Sequence, residues 1–197
     1  MSSLESTDAA TGAPSLHPYR DQLLGLAESV LDAGLSQGRP PDPDPAAYPE
    51  PLREERATFV TLRSGGQLRG CIGSVEARRP LVADVSRNAY AAAFEDPRFP
   101  PLTREERTAV DIKLEILTPM EPISFETEEE LLARLEPGRD GLLLEAGARR
   151  GTFLPTVWES LPDPESFWTH LKRKAGLTGD FFSPEMVVWR YRTEVLP

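Results

Sequence analysis

The sequence predicts an α+β fold, on three observations. Two pairs of short strand-like runs are separated by glycine turns, which reads as two β-hairpins. Apolar residues recur with helical period in several other segments. Strand and helix patterns are intermixed without a regular βαβ rhythm, so no doubly wound parallel sheet is predicted. The length of 197 residues suits one core, with or without a smaller lobe.

Residues 1–14 are Ser, Thr, Ala, Gly and acid, and predict a disordered tail that can be removed without cost. Residues 15–197 are expected to form a single domain, in one or two lobes. Ser15-Leu16-His17-Pro18 starts a helix, with proline where a missing N–H costs nothing and His17 at the surface or cap. Leu23, Leu26, Ala27, Val30 and Leu31 share one face of that helix through about Gln37. Arg39–Pro51 holds six prolines and reads as an ordered crossing or extended loop. Phe59–Arg63, the turn Ser64-Gly65-Gly66 and Leu68–Gly73 form the first hairpin, whose second arm carries Cys71. A helix begins near Pro80, with Leu81, Val82, Val85 and Ala89 as its stripe and Ala91–Ala93 allowing close packing on a sheet. Thr103 with Glu106 is a capping box for a short helical turn.

Val110–Leu117 alternates as a half-buried strand, with Val110, Ile112, Leu114 and Ile116 on one face and Asp111, Lys113 and Glu115 on the other. Thr127 with Glu130 caps a helix running to Leu135. Leu142–Glu145 and Thr152–Leu154 form the second hairpin. Asp163-Pro164 opens a helix containing Phe167, Trp168, Leu171 and Ala175, closed by Gly176. Met186–Val195 reads as one last strand.

The composition excludes several classes of function. A net charge of −10 repels nucleic acid and anionic lipid. The basic runs Arg78-Arg79, Arg149-Arg150 and Lys172-Arg173-Lys174 are short and read as solvated turns or helix ends. A single cysteine rules out an internal disulfide. There is no signal-peptide pattern and no run of about 20 apolar residues, so a cytoplasmic protein without a membrane span is expected. His17 and His170 stand apart without neighbouring ligands, so no metal is expected. No phosphate-binding glycine loop and no Gly-x-Ser-x-Gly elbow occurs, and the cofactor is left open. Glu128–Glu130 is accounted for by the helix dipole.

What remains is Leu68-Arg69-Gly70-Cys71-Ile72-Gly73. Glycine inside a strand marks a bulge or a close approach. Period-two alternation places Arg69 and Cys71 on one face, with Gly70 between them facing the other way. An arginine beside a thiol favours thiolate and suits carboxylate or phosphate. Cys71 is therefore the candidate catalytic residue, and Arg69, Gly70 and Gly73 candidate ligand-binding residues. Asp96 and Arg98, across Pro97, close the other side. Each has a structural alternative: a lone cysteine is most often a small buried apolar residue, Arg69 can pair with a surface carboxylate, and Asp96-Pro97-Arg98 can be a turn stitched by one ion pair. A Cys71–His170 dyad is a weaker candidate. Lys174 reads as a helix C-terminal charge, and Trp158, Trp168 and Trp189 as core.

These residues resemble the AMMECR domain family, whose prokaryotic members are also called AmmeMemoRadiSam system protein A. Leu68–Gly73 is similar to the family's signature hexapeptide. Asp96–Leu102, Asp111–Pro119, Gly141-Leu142 with Gly151–Pro155, and Phe167–Leu177 resemble its further blocks, in order. The likeness covers roughly residues 17–196. Thr156 stands where the family often has Gln, and the helix before Lys174 lacks a cysteine often found there. The resemblance implies a sheet flanked by helices, a smaller lobe and a cleft near the signature hairpin. It also implies association with Memo-type and radical-SAM proteins, and leaves the reaction open. Two functions follow: an enzyme of unknown substrate with a site at Arg69, Cys71, Asp96 and Arg98, or a non-catalytic adaptor for a partner protein or a nucleotide-like or other small anionic ligand.

Overall fold

A computed structural model describes residues 15–197. The tail expected over residues 1–14 lies outside the described residues. The chain divides into two compact units. One runs to Leu117 and takes back Glu194–Pro197, and the other spans Thr118–Thr193.

The first unit holds helix α1 (Arg20–Gln37), entered through a 3-10 turn at His17–Tyr19, and helix α2 (Leu81–Phe94). Its sheet comprises β1 (Thr58–Ser64), β2 (Gln67–Gly73), β3 (Val110–Leu117) and a short C-terminal strand, Thr193–Leu196, in the order β2-β1-β3-(Thr193–Leu196). β1 pairs antiparallel with both β2 and β3. The predicted helical stripe of α1 is buried, and it packs with Leu81, Val82, Val85 and Ala89 of α2 against Val60, Leu62, Leu114 and Ile116. The proline-rich segment crosses with two 3-10 turns, at Pro45–Ala47 and Glu50–Leu52.

The β1–β2 turn has positive φ at both central residues, 55° at Gly65 and 78° at Gly66, the conformation that fits the twist of a two-residue hairpin. The alternation read along β2 does not hold. Leu62 faces Gly70 but Arg63 faces Leu68, so Arg69 is the extra residue of a β-bulge. A strict period of two cannot be carried through residue 69, and the expectation that Arg69 and Cys71 follow from one alternating face is corrected.

One buried polar network, unnoticed in the sequence, ties α2 to β1. The Asp84 carboxylate accepts from Thr58 N–H (2.9 Å) and the Thr58 hydroxyl (2.7 Å), and Asn88 Nδ2 donates to Asp84 (2.9 Å) and to Thr58 Oγ1 (2.9 Å). Burial pushes the Asp84 carboxyl above its ordinary value. The i, i+4 spacing of Asp84 and Asn88 was the available signal.

The second unit has β4 (Glu121–Pro122), β5 (Gly141–Ala146), β6 (Arg149–Phe153) and β7 (Val187–Tyr191), ordered β4-β7-β5-β6. The terminal strand Thr193–Leu196 of the first unit is then β8. Helices α3 (Glu128–Ala133) and α4 (Pro164–Lys174) complete the unit. Its core packs Leu131, Leu142, Trp158, Phe167, Trp168 and Val188. The Trp158 and Phe167 rings stack at 3.8 Å and 5°. Asp163 caps α4 by accepting from Ser166 N–H at 2.8 Å.

The α+β class stands, built on two four-stranded sheets. Three readings are corrected. The single strand expected over Met186–Val195 breaks at Arg192 into β7 and β8, which join different sheets. The α3 helix ends at Ala133, short of Leu135. Lys172 is fully buried rather than solvated, with Nζ at 3.0 and 2.9 Å from the two Glu128 carboxylate oxygens. Trp168, Leu171, Lys172 and Ala175 occupy one helical face, so the 3.6 period carried that signal.

Candidate site around Cys71

β2 is the edge strand of its sheet, and an uncapped edge leaves backbone donors and acceptors open to wrong partners. At Cys71 both groups are taken by the loop after α2. The Cys71 N–H donates to Asp96 Oδ2 (2.9 Å), and Arg98 Nη2 donates to the Cys71 carbonyl (3.0 Å). Asp96 and Arg98 also bind each other, through Nε to Oδ1 (2.9 Å) and Nη2 to Oδ2 (2.7 Å). The pair thus stands where a further strand would hydrogen-bond. Pro97 between the two residues fixes the turn, and the Arg98 N–H closes it on Asp96 Oδ1 at 3.1 Å.

Asp96 is buried and Arg98 is half exposed, with a side chain 54% accessible. The Arg98 guanidinium, with the two backbone donors, holds the Asp96 carboxyl far below the ordinary carboxylate range. The Arg98 guanidinium also lies 5.5 Å over the Phe99 ring. The Cys71 thiol is half-buried, and its hydrogen-bond partner is the Thr61 hydroxyl across the strand pair, 3.4 Å from Sγ.

Arg69 is committed elsewhere. Its Nε and Nη2 donate to the two oxygens of Glu106 at 2.9 and 3.0 Å, and Nη2 also donates to the Pro100 carbonyl at 2.9 Å. Its side chain is 9% exposed, and Nη1 is buried without a partner. Arg69 is therefore paired to a carboxylate rather than open to solvent. Glu106 serves two ends. It completes the predicted capping box by accepting from Thr103 N–H (2.9 Å), and it neutralises Arg69. The Arg69 guanidinium, foremost, and the Thr103 N–H draw the Glu106 carboxyl down to about 2. The sequence showed Glu106 as a cap only.

The two glycines make close approaches, and both are to protein backbone. A Cβ at Gly70 would stand 2.1 Å from the Ala92 carbonyl oxygen of α2, and one at Gly73 would stand 2.3 Å from the Thr58 carbonyl oxygen. Sheet and helix packing accounts for both without a ligand. His170, in the second unit, is exposed, and its Nδ1 lies 2.8 Å from the Ser166 carbonyl one turn back on α4. Lys174 does more than end a helix. Its Nζ donates to the Thr152 carbonyl (2.8 Å) and lies 4.9 Å over the Phe153 ring, and desolvation lowers its pKa. Among the described residues no group of three or more His, Cys, Asp and Glu is placed to hold a metal ion, and no helix is long and apolar enough to cross a membrane.

An α+β chain with a thiol on a capped edge strand is the class of protein defined here, and comparison supplies the family. Residues 24–196 match the AMMECR1 family model, and the chain belongs to that family. A protein of Methanothermobacter thermautotrophicus is 39% identical over 157 residues, covering 77% of this chain and 80% of its own. A protein of Methanocaldococcus jannaschii is 40% identical over 157 residues, covering 76% of each. The crystal structure of an uncharacterized protein from Pyrococcus horikoshii matches with a TM-score of 0.79 at 32% identity, over 90% of both chains.

Proposed function

We propose that the protein is a binding module that takes a small anionic ligand beside Cys71, with Arg98 as the charge that meets it. One observation carries this reading. The Arg98 guanidinium is fixed by three side-chain hydrogen bonds, two to Asp96 and one to the Cys71 carbonyl, yet is half exposed. A guanidinium already held in place loses little freedom on binding. As a module it would present its ligand to a partner, for which the Memo-type and radical-SAM proteins implied by the resemblance are our candidates.

A thiol enzyme is the second reading, favoured by the half-buried thiol and the Thr61 hydroxyl on Sγ. The carboxylate nearest the Cys71 backbone argues for the module. Asp96 is held ionised by Arg98 and is too weak a base to take the thiol proton at neutral pH.

Alkylation of Cys71 by N-ethylmaleimide, in the presence of increasing phosphate, sulfate or acetate, tests the reading. We expect saturable protection that Arg98→Met removes in a chain still folded by circular dichroism, with a lowered melting temperature because buried Asp96 loses its partner. Protection that is absent, or that survives Arg98→Met, rejects the anion site. An alkylation pH profile displaced to acid relative to a free cysteine peptide would favour the enzyme.

A further inference from the structure

We propose that the face of the first sheet turned away from α1 and α2 binds a carboxamide-type edge, a carbonyl beside an N–H, next to the Cys71 thiol. The proposal deepens the reading of Cys71 as a ligand site, but it rests on Lys113 and Glu115 rather than on Arg98. Strand register places the residues. Cys71, Thr61 and Lys113 oppose one another across β2, β1 and β3, and Gly73, Phe59 and Glu115 form the next row on the same face. Val60, Leu62, Leu114 and Ile116 occupy the other face and pack into the helical core. Gly73 contributes no side chain, and Phe59 fills its place, a Cβ there standing 2.5 Å from Phe59 Cγ. Cys71 and Lys113 stand two strand spacings apart, roughly 10 Å, with Thr61 between them.

The face is polar and incompletely satisfied. Lys113 Nζ lies 3.1 Å from Glu115 Oε2. The Glu115 side chain is only 5% exposed, and its other oxygen, Oε1, is buried without a hydrogen-bond partner. A buried carboxylate oxygen left unpaired is costly, and native sites supply such an oxygen with a donor. An ammonium carries three donors, and the ion pair with Glu115 uses one. An unfilled acceptor and unfilled donors therefore stand side by side, within the width of one ion pair. A ligand that fills both must carry its own acceptor and donor on neighbouring atoms. A carboxylate ligand would face Glu115 with like charge, and an amine ligand would do the same to Lys113. A neutral carboxamide answers both, and its place in the row is beside the hydrogen-bonded Thr61 hydroxyl and Cys71 thiol.

Paired alkylating reagents test this. Iodoacetamide carries the carboxamide and iodoacetate the carboxylate. In each case the sulfur forms a bond to the CH2 carbon, iodide leaves with the C–I electron pair, and the thiol proton passes to buffer. The iodoacetamide-to-iodoacetate rate ratio at Cys71, divided by the same ratio for glutathione, should exceed unity by about tenfold, the worth of one hydrogen bond to a charged group. Acetamide should still protect Cys71 in Arg98→Met, where acetate, its site at Arg98 removed, no longer does. The double variant Lys113→Met/Glu115→Met removes the pair together and leaves no lone buried charge, and it should bring the ratio to that of glutathione. Arg98→Met, which removes the charge that attracts iodoacetate, should raise the carboxamide preference rather than abolish it. A wild-type ratio equal to that of glutathione, or a preference that survives the double variant, overturns the proposal. Preference for iodoacetate that depends on Arg98 would sustain the anion site and sink this one. If the double variant does not fold, acetamide protection of the unmodified chain decides.

Discussion

Arg69 and Glu106 share two hydrogen bonds but not their access to water: the side chains are 9% and 37% exposed. Removing either partner therefore has unequal consequences. Glu106→Ala leaves a buried guanidinium uncompensated, with Nη1 already lacking a partner, and should cost about 3 kcal/mol. Arg69→Met leaves a carboxylate that water can reach and keeps much of the packing, so about 1 kcal/mol is expected. Urea denaturation of the two variants checks the order, and equal or reversed costs would contradict it. The same pair sets a pH response. The Glu106 carboxyl is lowered from 4.5 to about 2, so its stabilisation is complete above 4.5 and is lost as pH falls from there to about 2. Asp96 acts in the same direction, further toward acid. Asp84 and Asp140 are raised by burial, so their effect has the opposite sign: they favour the fold below their ordinary range and cease to as pH rises. Glu106→Gln should therefore flatten the stability profile between pH 4.5 and about 2, measured as urea midpoints. An unchanged acid limb would exclude the pair as its source. The sequence displayed the Thr103–Glu106 cap because three residues separate its partners. It could not display an ion pair that spans 37 positions.

Elements were legible where their signals are local. The Gly65-Gly66 turn, the α1 stripe and the β3 strand each rest on residues close in sequence, and each is found where the pattern put it, although Glu115, on the face of β3 read as polar, is buried. The bulge at Arg69 has no such signal, because it is defined by which residues of β1 are passed over. That one shift changed the candidate site, since it removed the alternation that joined Arg69 to Cys71. The role of Gly70 was half visible. Its close approach could be inferred, but the object approached, the Ala92 carbonyl, belongs to a helix 22 positions on. A Cβ 2.1 Å from a backbone oxygen cannot be accommodated by a rotamer change, so β2 and α2 must part. Gly70→Ala should cost about 3 kcal/mol or more. Cys71→Ser, at a half-buried position beside the Thr61 hydroxyl, should cost about 1 kcal/mol or less. Thermal melting of the two variants tests the contrast, and equal shifts would remove the packing account of the hexapeptide.

At the scale of the whole chain, periodicity gives no order of assembly. Met186–Val195 alternates without a break, yet the chain leaves one sheet at Tyr191 and enters the other at Thr193. The first unit is thus discontinuous in sequence, closed by its last four residues. Glu194 makes that closure specific. Its Oε1 accepts from Leu16 N–H (2.7 Å), His17 N–H (2.9 Å) and the Ser15 hydroxyl (2.8 Å), where the chain turns into α1. The two backbone N–H groups are donors that a helix entry leaves without intrahelical partners. Within the entry Ser15 Oγ accepts from His17 N–H at 3.3 Å, and a carboxylate 177 positions away from His17 supplies the shorter bonds. Glu194→Ala should then destabilise the fold by about 1–2 kcal/mol, as the loss of an N-cap does. Glu194→Gln, which keeps an acceptor oxygen and loses the charge that favours a helix N-terminus, should cost less. Removing residues 194–197 takes β8 along with the cap and should cost more than either. Hydrogen exchange locates the effect: amides of the first turns of α1 should lose protection in Glu194→Ala, and in the truncation the amides of β3 should follow. Full protection of α1 after Glu194→Ala would show that the carboxylate is not what holds the helix entry.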